Sequence, residues 1–179
     1  MMLVDSDILR HKKQGYIEIT PWNDTNLGSN SYDLTLGKLL MVYTEKVLDA
    51  AKENPTKMIE IENQGFTLLP GELYLGVTRE YTKTHTSLVP QLEGKSSIAR
   101  LGISVHLTAG FGDCGFDGHW TLEITCEKPV TIYAGMSIAQ IYYFQTLGKC
   151  INPYNRKVSA KYSGQGNQPV ASMMYKNFN

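Results

Sequence analysis

The sequence predicts an all-β fold, a distorted jelly-roll or β-barrel preceded by one short helix. Three observations predict it. Short runs of alternating apolar and polar residues recur along most of the chain, turn signals separate them at fairly even spacing, and only one segment reads as helix. The helix comes first: Asp5 or Ser6 can cap it, Ile8 and Leu9 give an apolar edge, and Gly15 ends it. The strand-like runs follow. They are Tyr32-Asp33-Leu34-Thr35-Leu36, the less regular Phe66-Thr67-Leu68-Leu69, Leu73-Tyr74-Leu75-Gly76-Val77, residues 87–92, Trp120-Thr121-Leu122-Glu123-Ile124 and Ile138-Ala139-Gln140-Ile141-Tyr142. Turns fall at 36–38, Pro70-Gly71, Glu93-Gly94, 115–118 and Ala134-Gly135. Residues 44–64 are polar and irregular and read as an excursion between strands.

The 179 residues suit a single domain over 1–179, and a 42% hydrophobic content is enough for a sizeable core. No internal repeat interrupts it. Residues 161–179 are rich in Gly, Gln, Asn and Ser, the composition of a flexible tail. A segment that closes over a ligand has the same composition, because Gly-rich chain bends easily around a substrate. The net charge of zero argues against a nucleic-acid coat or a polybasic membrane surface. Three cysteines without a Cys-x-x-Cys pair fit a reducing compartment better than a disulfide framework. No apolar run reaches membrane-spanning length, and the first residues lack the charged-then-apolar order of a signal peptide, so a soluble cytoplasmic protein is expected.

Residues 93–123 carry the densest chemistry. Gly94-Lys95-Ser96-Ser97 offers small residues, two hydroxyls and a cation, a set that can cradle phosphate. P-loop spacing is absent, and the same tetrapeptide reads as an ordinary polar turn before Ile98. Arg100 lies five residues past Lys95, where the two can clamp a triphosphate. Residues 109–118 hold four glycines, which leave backbone amides free to pair with a pyrimidine edge. Asp113 can there accept from a sugar hydroxyl, or stand as one solvated Asp in a turn. Glu123 shares a strand face with Thr121, opposite Leu122 and Ile124. It faces solvent if those two face the core, or becomes a candidate general base if Thr121 and Glu123 line a closed subunit interface. His106 sits in a strand-like run, where a single histidine is usually structural. His11, His85 and His119 show no ligand spacing. A zinc deaminase needs a His-x-Glu and a Pro-Cys-x-x-Cys, and neither occurs, so no zinc is expected.

Together these residues resemble the dCTP deaminase branch of the dUTPase-like family, along nearly the whole chain. Residues 94–102 are similar to its Gly-Arg/Lys-Ser-Ser-x-x-Arg-Leu-Gly signature, and 109–118 to its Ala-Gly-x-x-Asp-x-Gly-Phe-x-Gly hairpin. Thr121-Leu122-Glu123 matches the deaminase triplet, 135–140 the Gly-Met-x-Ile-x-Gln element, and Pro153-Tyr154 with 161–165 the nucleotide-closing segment. The resemblance implies the family's distorted jelly-roll and a homotrimer with sites at subunit interfaces. It also implies dCTP as substrate, dTTP as a candidate inhibitor, and Mg²⁺ held mainly by the triphosphate. By position, Lys95, Ser96, Ser97 and Arg100 would bind phosphates, with Ile98 and Ala99 in the same turn and Arg100 also near the reacting base. Asp113 would hold the 3′-hydroxyl, and His106, Ala109, Thr121 and Leu122 would contact the nucleotide. Gln140 would orient it, residues Tyr154, Lys161 and Gln165 would close over it, and Glu123 would be the general base.

The implied reaction is zinc-independent hydrolysis of dCTP to dUTP and ammonia. A bifunctional enzyme that continues to dUMP and pyrophosphate is the close alternative, because Ala109-Gly110-Phe111 looks more like those members than like deaminases with a His after the Ala. A plain dUTPase has no need for the Glu of Thr-Leu-Glu. An inert nucleotide-binding trimer has no need for the intact Ser96, Arg100, Asp113 and Glu123 set. Four positions depart from the family pattern. Lys95 replaces a common Arg, Gly112 an aliphatic residue, Cys114 a Pro or Ala, and Trp120 a smaller aliphatic.

Overall fold

The computed structural model describes residues 1–178, and its first element is a helix, α1 (Asp5–Lys13). Twelve strands follow: β1 (Ile17–Thr20), β2 (Tyr32–Tyr43), β3 (Thr56–Glu60), β4 (Phe66–Leu68), β5 (Tyr74–Thr78), β6 (Tyr81–Thr84), β7 (Leu88–Gly94), β8 (Ile103–Ser104), β9 (Asp117–Gly118), β10 (Thr121–Cys126), β11 (Val130–Ile132) and β12 (Ser137–Gln145). A second helix, α2 (Ser96–Ala99), separates β7 from β8. The largest sheet runs β7-β12-β2-β5-β10-β8, with β3 paired to β2. A three-stranded sheet, β1-β6-β9, and a two-stranded one, β4 with β11, complete a nearly closed, barrel-like shell. Every named strand pair is antiparallel.

Strand β2 is the spine. Its alternation sends Tyr32, Leu34, Leu36 and Leu40 into the core, all with no exposed surface. It is flanked by β12 and β5, and β5 is buried along its whole length. A strand covered on both faces must be apolar on both, which is why Tyr74-Leu75-Gly76-Val77 does not alternate cleanly. Strand β10 adds to β5 in the register Thr121↔Val77, Leu122↔Gly76, Glu123↔Leu75 and Ile124↔Tyr74. Leu122 and Ile124 are fully buried, whereas Thr121 and Glu123 lie on the other face.

The all-β class and the N-terminal helix match the sequence expectation, with three local differences. Val4, not Asp5 or Ser6, holds the cap position of α1, and the Asp7 carboxylate reaches back to accept from its amide at 3.3 Å. Only Ile8 of the expected apolar edge is buried, because Leu9 is rotated one position away and points to solvent. The 44–64 excursion contains β3, which lengthens the sheet along β2. Among the described residues no helix is long and apolar enough to cross a membrane.

Leu122 fills the core side of β10, so Leu122→Ala should cost roughly 2–5 kcal/mol in transfer and cavity terms. Urea unfolding at fixed protein concentration should show a lower midpoint with an unchanged slope. An unshifted midpoint would mean that β10 is not held by its core face.

Candidate active site

The face of β10 that carries Thr121 and Glu123 forms one wall of a cleft of about 490 Å³. Its other walls come from the hairpin segment 109–116, from Leu73 and Leu75 beside β5, and from Tyr154 and the C-terminal segment. At its centre His106 Nδ1 lies 2.5 Å from Glu123 Oε2. With the carboxylate ionised, Nδ1 is the donor, and Oε1 is left for another partner. The His106 side chain is 8% exposed and that of Glu123 is 29% exposed, so the histidine stands behind the carboxylate and the carboxylate meets the cleft. His106 Nε2 is buried without a partner among the described residues.

Beside this pair, Thr121 Oγ1 accepts from Gln165 Nε2 at 2.7 Å and from the Val170 amide at 3.0 Å. Residues 161–178 run across the cleft. Gln165 bridges Gly118, the Ser172 amide donates to Tyr43 Oη at 2.9 Å, and the Met173 amide donates to Tyr162 Oη at 3.0 Å. Tyr162 is itself tied down, its amide donating to Tyr154 Oη at 3.0 Å. Asn179, the last position of the expected closing segment, lies outside the described residues.

The cleft brings together seven of the residues singled out in the sequence: His106, Ala109, Asp113, Thr121, Glu123, Tyr154 and Gln165. The others lie elsewhere. Leu122 and Ile98 send their side chains into the core, because Leu122 alternates away from the cleft and Ile98 anchors α2. Lys161 does not line the cleft. Ser96, Ser97, Ala99 and Arg100 are exposed on α2. Lys95 precedes them and is paired with Asp33. Gln140 sits in the same neighbourhood, opposite Asp33 on β2 and Glu93 on β7, with Ser31 Oγ donating to its Oε1 at 3.2 Å. The protomer thus carries two separate patches. One holds the carboxylates of Glu123 and Asp113, and the other holds Lys95, Arg100 and the two serines. No lysine or arginine is among the described residues that line the cleft.

Asp33, Tyr43, His119 and Trp120 were not singled out for a functional role from sequence. For Asp33 the one available signal was a carboxylate on the outward face of an otherwise apolar strand, opposite Gln140. The aromatic residues carry no local signal, because each meets the cleft only through segments distant in sequence.

A family model described as dCTP deaminase-like matches residues 2–146. A protein of Clostridium acetobutylicum named dCTP deaminase, dUMP-forming, is 50% identical over 163 residues, covering 90% of each chain. A protein of Hathewaya histolytica with the same name is 46% identical over 178 residues, covering 99% of each. Among solved structures, 2′-deoxycytidine 5′-triphosphate deaminase from Agrobacterium tumefaciens aligns with a TM-score of 0.66 at 18% identity, a likeness of fold. The alignment covers 81% of this chain and 48% of that longer one.

Two of the departures from the family pattern explain each other. The segment 109–112 lies along β7: the Leu92 amide donates to Gly110 O at 2.7 Å and the Gly112 amide donates to Pro90 O at 2.9 Å. Trp120 packs its ring against Phe116 at 4.2 Å and donates from Nε1 to Thr82 Oγ1 at 2.8 Å. A Cβ on Gly112 would stand 2.5 Å from Trp120 Cη2 and 2.8 Å from Pro90 Cγ. The bulk of a side chain missing at 112 is supplied by the indole at 120. Gly112→Val should therefore overpack the hairpin and cost about 1–3 kcal/mol. Trp120→Val removes the nearest of three close atoms and leaves Pro90 Cγ and Pro90 O, so the double variant should be more stable than the sum of the single changes. Additive urea midpoints would show that the two positions do not share that space.

Proposed function

The chain belongs to the dCTP deaminase-like family, and we propose that it is a dUMP-forming dCTP deaminase. It would remove the 4-amino group of dCTP as ammonia and then release pyrophosphate. The His106–Glu123 pair carries the deamination reading: a partly exposed carboxylate, oriented from behind, lining a cleft of about 490 Å³ that is roomy enough for a whole nucleotide. Of the two sequence readings, the one ending at dUMP is better supported than the one ending at dUTP. It is the activity named for relatives 50% and 46% identical over almost their whole length. Gly110 favours it as well. A Cβ there would overlap Leu92 O, so this hairpin path excludes the His found after the Ala in plain deaminases.

The chemistry follows from the geometry. Glu123 Oε1, free of His106, accepts a proton from water as the water oxygen bonds to C4 of cytosine. The first water proton passes to N3 as the O–C4 bond forms; the second goes from the C4 hydroxyl through Glu123 to the amino nitrogen, the C4–N4 bond breaks, and ammonia leaves a carbonyl at C4 and an N3–H. His106 holds Oε2 and fixes the carboxylate rotamer. Asp113 would accept from the 3′-hydroxyl, and Ala109 and Thr121 would border the base. A second water then attacks the α-phosphorus and displaces pyrophosphate. Among the described residues no three His, Cys, Asp or Glu side chains converge as a metal site. Mg²⁺ would take its oxygens from the triphosphate and water, neutralising phosphate charge.

Charge separation calls for a second copy. A triphosphate needs cations, and the cleft wall has none. Ser96, Ser97 and Arg100 are presented outward at α2, with Lys95 just before them paired to Asp33, and together they suit a neighbouring subunit's cleft. A cyclic homotrimer, whose subunits each lend α2 to the next, completes every site. Lys95 would exchange Asp33 for phosphate as the nucleotide enters. Gln140 would support that patch, and residues 161–179, with Tyr154 and Gln165, would close over the nucleotide.

Purified protein given dCTP and Mg²⁺ should yield equal amounts of ammonia, dUMP and pyrophosphate. Accumulating dUTP would instead assign the plain deaminase, and no ammonia would remove deamination altogether. Glu123→Gln should retain dCTP binding and lose turnover by several orders of magnitude; substantial ammonia release from it would sink the general-base role. Mixing Glu123→Gln with Arg100→Ala subunits under dissociating and reassociating conditions should restore part of the activity that each lacks alone. No recovery in verified mixed oligomers would place both groups in one subunit's site.

A further inference from the structure

A second, smaller cleft of about 130 Å³ lies behind the hairpin, and two cysteines line it. Cys114 follows Asp113 directly, and Cys150 lies in the exposed segment between β12 and Tyr154. Both are free thiols of intermediate exposure, so both are reachable from solvent. The segments that carry them are joined at several points. The Tyr154 amide donates to Cys114 O at 2.8 Å, and a Cβ built on Gly115 would lie 3.1 Å from Pro153 Cβ. The third cysteine, Cys126, is buried on the core side of β10 and lines neither cleft.

We propose that Cys114 and Cys150 form a reversible intramolecular disulfide, an oxidative modification site that ties the Asp113 hairpin to the segment carrying Tyr154. The oxidant is a low-molecular-weight disulfide. One protein thiolate attacks it, forms a mixed disulfide and expels one small thiol. The second protein thiolate then attacks the protein sulfur of that mixed disulfide, closes Cys114–Cys150 and expels the other. Two protein thiols are oxidised, one small disulfide is reduced to two thiols, and the two protons lost by the cysteines end on them. Burial, with Cys150 and Asp113 close by, pushes the Cys114 thiol up from its ordinary range.

The bond would act on the site through position. Asp113 lines both clefts, and so does Tyr154. Fixing one segment against the other holds the proposed ribose contact and a tail anchor at a single spacing. This consequence rests on the deaminase reading; formation of the bond does not.

The test is thiol counting on the intact protein. After oxidised glutathione, unfolding in the presence of a thiol reagent should reveal one reactive cysteine where the reduced protein has three. Peptide mapping should find 114 joined to 150, with the chain monomeric on a non-reducing gel. Dithiothreitol should restore all three. Cys150→Ser should block the cross-link and Cys126→Ser should leave it intact. Three free thiols after oxidation, a stable glutathione adduct, or a cross-link involving Cys126 or another chain would each overturn the proposal. With dCTP, oxidation should raise KM reversibly in the parent protein and not in Cys150→Ser. A cross-link without any change in KM would overturn the coupling to the site, and the dCTP assay on reduced protein tests the deaminase reading separately.

Discussion

The position of Glu123 depends on one constraint, the register of β10 against β5. Leu122 and Ile124 have no other place to go than the core, and together their burial is worth several kcal/mol, of order 2 kcal/mol per fully buried side chain. A slip of one residue would expose both and drive Thr121 and Glu123 into apolar surroundings, where an unpaired carboxylate is costly. The hydrophobic pair thus chooses the face on which the carboxylate appears. Because Glu123 pairs with Leu75 on β5, which is buried throughout, the carboxylate stands against an apolar floor and not on an open surface. His106 supplies the hydrogen bond that makes this position tolerable, and it also aims the oxygen left over.

The same shell separates charge. Carboxylates and aromatic rings gather on the β10 side, whereas Lys95 and Arg100 accompany α2. A protomer that collected all of them in one place would neutralise its own phosphate-binding cations with Glu123 and Asp113 before any ligand arrived. Keeping them apart leaves Lys95 with a replaceable partner in Asp33, half-buried on both sides of the pair, and leaves Arg100 exposed. On the proposed reading, opposite patches would meet only at an interface between copies, with the nucleotide between them.

Much of this was legible in the sequence, and the gaps have physical causes. The spine β2, the buried β5 and the alternation of β10 were visible because burial on one or both faces writes a period into the residues. Strand β6 was not, because Thr82 and Thr84 are buried threonines whose polar lettering hides a core-facing strand. Alternation left Glu123 with two readings, solvent or a subunit interface; the structure adds a cleft within the protomer. His106 looked structural in a strand-like run, but it lies in irregular chain just past β8, and its partner stands seventeen residues away on β10. Pairing between distant segments is set by the fold and leaves no local trace. The compensation of Gly112 by Trp120 was equally hidden: each departure was visible, but their contact was not.

The C-terminal segment shows how lightly a closing element can be held. Thr121 Oγ1 takes two hydrogen bonds from it, Tyr43 and Tyr154 accept one amide each, Asp117 accepts from Ser163 Oγ and the Gly164 amide, and the His119 amide donates to Gln165 O. Bonds of this kind contribute about 1 kcal/mol each, since water replaces them when the segment lifts. Few large apolar side chains of the segment are buried, so little hydrophobic area opposes its release. On the proposed reading, a nucleotide that contacts Thr121 and the hairpin would displace bonds of this exchangeable kind. The segment can then re-form similar ones around the ligand, excluding bulk water from Glu123. The strongly held part of the site, the β10 register and the His106–Glu123 pair, does not have to move. On that reading, a carboxylate fixed on β10 and a cover held by exchangeable hydrogen bonds would together give access to a charged, bulky substrate.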